Sequence, residues 1–393
     1  MKKFTAILLC MIISSSATFL AADKPGVDAQ GAILMDFETG RVLWEKDSDK
    51  PFAMASTTKI MTAIVALENG NLSDIVTASK KAQNTAPTKM SLTAGETITL
   101  EALLYALMLV SANDAATAIA EHIGGSVENF CKMMTDKAAD LGAKDTLFES
   151  PNGLDTENHH STAYDMAVIA RYALNNEAFV KIIRTPSITI RSSKTTYSLA
   201  NRNRLLNEFS GATGIKTGYT GKAGHCFVGA AKRDGMQLIS VVLASGWGSR
   251  GKEQKWVDTK EILKYGFAEF SYVDIINEGQ TAAVASVLRS KSTELALEYA
   301  KSVRLPLSEE ERAGLELVTE VYEGVKAPVN TGDKLGVCRV YAGGELIDEV
   351  DLCTTDAAVR HDLKTSLEKV LNTYEIIIGN DRSIELPEYI FGE

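Results

Sequence analysis

Three short groups of residues carry hydroxyls, amines and amides at spacings that suit acyl transfer. Ser56-Thr57-Thr58-Lys59 sets a hydroxyl and an amine three residues apart. On a helix such positions share a face, so the amine reaches the hydroxyl. A serine hydroxyl is a weak nucleophile at neutral pH and needs a base beside it. A lysine can be that base when desolvation and a second cation hold it neutral. The spelling alone is weak evidence, since Ser249-Arg250-Gly251-Lys252 and Ser366-Leu367-Glu368-Lys369 share it. Ser111-Ala112-Asn113 offers a hydroxyl to relay a proton and an amide to bond a peptide group, with helix capping as the plain alternative. Lys216-Thr217-Gly218 occurs once. It offers a cation, a hydroxyl and a bare stretch of backbone along which a peptide can lie, with a surface turn as its alternative.

The elements that must position these groups follow from periodicity. Ile60, Ile64, Val65 and Leu67 recur at helical spacing just after Ser56. Leu100 to Ile123 is rich in Ala and Leu and reads as one or two buried helices, with Ser111 just after an apolar run. Two hairpins are expected, one around Glu38-Thr39-Gly40-Arg41 and one around Arg233-Asp234-Gly235. Helices are expected over 164–174 and 255–270. The order hairpin, helices, hairpin, helix predicts an α/β chain of the α+β type, an antiparallel sheet built from both chain ends with helices on its faces. The expected catalytic domain spans 23–275, and short β-like runs with turns make 276–355 a small β-rich domain. In 356–393 a helix and tail are expected. Val359, Leu363, Leu367, Val370, Leu371 and Tyr374 line one face of that helix, which either packs on its own domain or touches a membrane surface peripherally. Its mixed charge favours packing.

Composition limits the function classes. With 393 residues, 45% hydrophobic, the chain is long enough for two domains and too apolar to be disordered. A net charge of −10 argues against a nucleic-acid partner. Lys2 and Lys3, a short apolar run and small residues at Ala21-Ala22 fit an export signal over residues 1–22, a buried N-terminal helix being the alternative. No C-x-x-C or His-Glu-x-x-His occurs, so no metal or thiol redox centre is indicated. Cys131 and Cys226 read as buried thiols, while spacing leaves a Cys338–Cys353 pair open.

Taken together and in this order, the three groups resemble the motifs of the low-molecular-weight penicillin-binding proteins, serine-type D-alanyl-D-alanine carboxypeptidases. The likeness runs from Gly31 to about residue 355. It passes through Ser150-Pro151-Asn152-Gly153-Leu154-Asp155, Ser161-Thr162-Ala163-Tyr164-Asp165-Met166, Asn201-Arg202-Asn203 and the stretch Gly211 to Thr220. Val325-Lys326-Ala327-Pro328-Val329 with Gly332 and Gly336 resembles the family's small β domain. The resemblance implies a five-stranded antiparallel sheet between helical layers. It implies removal of the terminal D-Ala from peptidoglycan stem pentapeptides through an acyl-enzyme, without a cofactor, and acylation by β-lactams.

The same resemblance implies a role for each group. Ser56 is the nucleophile, Lys59 its base, Ser111 and Lys216 the proton shuttle, and Asn113 holds the stem peptide. The N–H groups of Ser56 and Tyr219 form the oxyanion hole, and Gly218 leaves room for the substrate. A substrate ending in a free carboxylate needs cations in an acidic protein, for which Lys216, Arg202 and Arg250 stand with Thr217. Tyr219 takes a place where the family often has His, which bears on substrate preference. Asp155 and Asp165 read as loop and helix-cap residues, His159 and His160 as residues of the site's rim. No Glu-x-x-Leu-Asn-like segment is present to speed deacylation, so slow release of penicillin is expected. A β-lactamase or transpeptidase, and a non-enzymatic envelope-binding protein, are the competing readings.

Overall fold

Both expected hairpins form. In the computed structural model, which describes residues 23–360, 366, 367, 370 and 371, β1 (Gly31–Asp36) turns into β2 (Val42–Lys46). The Asp36 carboxylate makes the turn by accepting from the Thr39 N–H and hydroxyl, both at 2.7 Å, while Gly40 takes φ +76°. The export segment at 1–22 lies outside the described residues, as does most of the helix expected over 356–376. β3 (Ala212–Thr220), β4 (Gly224–Arg233) and β5 (Met236–Leu243) come much later in the chain. Asp234 and Gly235 join β4 to β5, both at positive φ, as a two-residue hairpin connection with the native twist requires.

The five strands form one antiparallel sheet in the order β2-β1-β5-β4-β3. Strands from early and late in this unit meet at β1 and β5, in register from Gly31 opposite Leu243 to Asp36 opposite Leu238. All six residues of β1 and the first eight of β4 are buried. Strands so enclosed show no polar alternation, because both faces are covered. Ile33, Met35, Ile239 and Val241 join the core under the helical layer. On the opposite face Leu34 and Leu238 pack against Gly266 of the long helix Gly248–Glu269.

The helical layer contains α1 (Lys59–Asn69), α2 (Leu100–Leu109) and α3 (Asn113–Gly124). The Ala- and Leu-rich stretch is thus two helices. Nine of the ten α2 residues are buried, which is why the segment shows little amphipathic pattern. The break falls at Ser111, whose φ of +63° no helix accommodates.

The described chain divides into two compact units after Ser271. The second has a six-stranded sheet in the order Leu315–Val321, Lys334–Ala342, Glu345–Thr354, Glu294–Tyr299, Thr281–Leu288, Val325–Lys326. Val287, Leu297, Cys338, Val340, Val350 and Leu352 form its core. Cys338 opposes Val350 on the buried face, whereas Cys353 opposes Lys334 on the other face, so both thiols are free. The pairing that spacing left open does not form.

Candidate active site

Ser56 lies in a tight 3-10 turn, Ala55–Thr58, that leads into α1. The expected one-turn spacing holds: the Lys59 Nζ donates to Ser56 Oγ at 2.9 Å. It also donates to Asn113 Oδ1 at 2.7 Å and to the Asn152 carbonyl at 2.5 Å. All three acceptors are uncharged. Lys59 is fully buried, and burial above all, then the charge of Lys216, holds its pKa well below the usual lysine value, with Asp114 opposing. A buried amine with neutral partners and a cation nearby is the condition under which lysine acts as a base.

The break between α2 and α3 delivers the second group. Asn113 opens α3, and its amide is oriented from both ends, with Nδ2 donating to the Ala86 carbonyl at 3.0 Å. Its backbone N–H donates to the Thr88 carbonyl at 2.7 Å. The neighbouring Asp114 carboxylate, buried, accepts from the N–H groups of Met90, Ser91 and Leu92 and so pins the segment that supplies those carbonyls. Ser111 is half-buried at the break.

β3 brings the third group. Gly218 lies against the Ser56 turn: a Cβ there would stand 2.9 Å from the Ser56 nitrogen and 3.1 Å from the Met54 carbonyl. Any side chain at this position displaces Ser56. Lys216 is buried with its Nζ donating to the Thr217 carbonyl at 3.1 Å. Burial first, and the Arg202 charge second, bring its pKa down to about 7. Thr217 is half-buried, and Tyr219, 50% exposed, stacks on His225 with ring centroids 4.3 Å apart. Arg202 is exposed, and its backbone N–H is tied to the Leu109 carbonyl just ahead of Ser111.

Arg250 is 82% exposed and its guanidinium pairs with Asp28 at 2.8 Å. One expectation needs correction. His159 is not on the rim. It is buried, its Nε2 lies 2.8 Å from Thr58 Oγ1, and its Nδ1 accepts from the Glu149 N–H at 3.1 Å. Asp155 accepts from Thr220 Oγ1, and Asp165 from the Asp145 N–H and Thr146 Oγ1, in keeping with loop and helix-end roles.

Burial brings the His159 pKa down to about 4, opposed by Glu149 and Asp155 and aided by His160 and Lys222. The unfolded chain takes up a proton near pH 6.5 that the folded chain refuses until about pH 4. The stabilisation is therefore complete above pH 6.5 and is lost as pH falls toward 4, about 3 kcal/mol in all. Urea unfolding between pH 7 and 4 should show wild type losing about that much more than His159→Gln. Parallel curves would contradict it.

The Asn152 carbonyl, Asp114 and the contact between Thr58 and His159 were not among the expected features of the site. A backbone carbonyl has no side-chain signature. Gly153 was the available signal, because its φ is +81° and a Cβ there would stand 1.9 Å from the Ala55 carbonyl oxygen. Among the described residues, no group of three or more His, Cys, Asp or Glu is arranged to hold a metal ion.

The antiparallel sheet has helices on both faces and carries a serine–lysine pair beneath its edge strand. The chain belongs to the D-alanyl-D-alanine carboxypeptidase family, whose profile matches residues 18–246. A second profile, the C-terminal domain of penicillin-binding protein 5, matches residues 270–360. A curated relative, the D-alanyl-D-alanine carboxypeptidase DacF of Bacillus subtilis, is 33% identical over 344 residues, covering 86% of each chain. Among solved structures, the D-alanyl-D-alanine carboxypeptidase DacD of Francisella tularensis superposes with a TM-score of 0.74 at 26% identity, over 88% of this chain and 97% of that one. A mutant of the Streptomyces K15 DD-transpeptidase is 35% identical over 62% of this chain and all of its own, with a TM-score of 0.58.

Proposed function

We propose that this protein removes the terminal D-alanine from peptidoglycan stem pentapeptides through an ester on Ser56, and that β-lactams acylate the same hydroxyl. The observation that carries this is the 2.9 Å contact between Ser56 Oγ and a Lys59 amine buried among uncharged acceptors. Lys59 Nζ takes the Ser56 proton as Oγ bonds the carbonyl carbon between the two D-alanines. The N–H groups of Ser56 and Tyr219 receive the oxyanion, each worth roughly 3–4 kcal/mol of barrier. As the C–N bond breaks, Ser111 and Lys216 pass a proton to the departing amine. Asn113 holds the stem peptide, and Thr217, Lys216 and Arg202 receive the terminal carboxylate. The proton that Lys59 took is the one the Ser111–Lys216 relay delivers, so Lys59 is neutral again. Water then attacks the ester, and Lys59 takes its proton and returns it to Ser56 Oγ as the acyl C–O bond breaks.

The domain bounds at 23–275 and 276–355, and export directed by residues 1–22, belong to the same reading. Among the described residues no helix is long and apolar enough to cross a membrane. Peripheral membrane contact through 356–376 is the less economical account of that segment, given its mixed charge.

The test uses the protein from residue 23 onward with a diacyl-Lys-D-Ala-D-Ala peptide and a fluorescent penicillin. D-Ala release together with stoichiometric label on the Ser56 peptide is expected. Release with label elsewhere, or neither, would overturn the proposal. The likeness to a DD-transpeptidase supports a second reading, transfer to an amine. An added amino-acid acceptor that captures most of the acyl group would favour it over hydrolysis.

A further inference from the structure

Beneath the nucleophile turn runs a chain of hydrogen bonds that the reaction as described leaves unused. The Glu149 N–H donates to His159 Nδ1 at 3.1 Å, which makes Nδ1 an acceptor and places the ring proton on Nε2. Nε2 therefore donates to Thr58 Oγ1 across 2.8 Å. With its lone pair so used, the Thr58 hydroxyl gives its own proton to the Ala55 carbonyl, also at 2.8 Å. His159 and Thr58 are both buried, which keeps water from competing for the two bonds of the Thr58 hydroxyl.

The end of the chain is what matters. The Ala55 carbonyl and the Ser56 N–H belong to one planar trans peptide and point in opposite directions, so fixing one fixes the other. Ala55 has φ +48°, a left-handed conformation that an alanine does not hold without external support. Gly153 closes on the same carbonyl, leaving no space for a side chain.

We propose that His159 and Thr58 are positioning residues that aim the Ser56 N–H at the developing oxyanion, by holding the carbonyl of the peptide that bears it. The proposal rests on the reading of Ser56 as the acyl carrier. The brace sets the direction of the N–H and, by polarising the amide from its carbonyl end, strengthens it as a donor. It does not touch Lys59, so the protonation of the base is outside its reach.

Four variants test this, each measured by the acylation rate constant with a fluorescent penicillin and by the infrared carbonyl band of the Ser56 ester. Loss of a whole oxyanion donor lowers turnover by about 10²–10³. Misaiming one should lower acylation by roughly 10- to 100-fold. Thr58→Val, which keeps the shape and removes the hydroxyl, is expected to show that loss with the ester band moved to higher frequency. His159→Leu should move both readouts the same way by less, since the Thr58 hydroxyl survives. Thr58→Ser and His159→Gln, which keep a donor in place, should stay within about threefold of wild type with the band unmoved. The acid limb of the pH–acylation profile should coincide in all four. If Thr58→Val acylates at the wild-type rate, or slows with an unshifted band, the brace is overturned; should it fail to fold, His159→Leu decides on the same two readouts. A wild type that forms no ester on Ser56 at all would instead overturn the underlying reading, an outcome the label itself distinguishes.

Discussion

Ser56→Ala is expected to lower D-Ala release by at least about 10⁴-fold and to abolish covalent penicillin labelling. Removing a nucleophilic serine from an acyl-transfer site costs roughly 10⁶ in turnover, since no other group takes over the covalent step. The fold should survive. Ser56 Oγ contributes only a long bond to the Asn152 carbonyl, 3.4 Å, and accepts one from Lys59. The surrounding turn is held by Thr57 and Thr58, whose hydroxyls donate to the Met54 and Ala55 carbonyls. An unchanged circular dichroism spectrum and melting midpoint would separate chemistry from structure. A variant that released D-Ala at the wild-type rate would contradict the assignment.

Lys59→Met is expected to slow acylation by about 10²–10⁴-fold, the usual contribution of a positioned general base. Its stability should hold or rise. The Lys59 amine is buried without a carboxylate partner, and replacing a buried ionisable group by an apolar one of similar length often stabilises a protein. Freed acceptors on Asn113 and Asn152 work against that gain. In wild type the acylation rate should rise with pH on its acid limb as the Lys59 ammonium gives up its proton. Because Lys216 presses on Lys59, that limb is a property of the pair. Lys216→Ala should therefore shift it to higher pH, since a neighbouring cation has been removed. Stopped-flow penicillin binding from pH 5 to 9 checks both statements. A Lys59→Met variant that keeps wild-type acylation would assign the base elsewhere.

Much of this site was legible before the structure. Ser56, Lys59 and Lys-Thr-Gly stood out only together, since the Ser-x-x-Lys spelling recurs twice elsewhere in the chain and a turn suits Lys-Thr-Gly equally well. The two hairpins were written in Gly40 and Asp234-Gly235, where positive φ leaves few alternatives. The Arg250–Asp28 pair joins residues 222 apart in the chain, a contact that no local pattern announces. His159 was misjudged because a histidine in a polar loop reads as exposed until the loop is seen closed beneath α1.

From the residues alone came the chemistry on offer, a hydroxyl, an amine and a bare strand edge, and the order of elements that carry them, because local periodicity and turn geometry depend on neighbours in the chain. Only the tertiary structure decided that Lys59 loses its water, that Asn152 lends a carbonyl rather than an amide, and that a histidine a hundred residues on from Thr58 braces the Ser56 turn. Those outcomes depend on which distant segments exclude solvent from one another, and burial is a property of the packed whole.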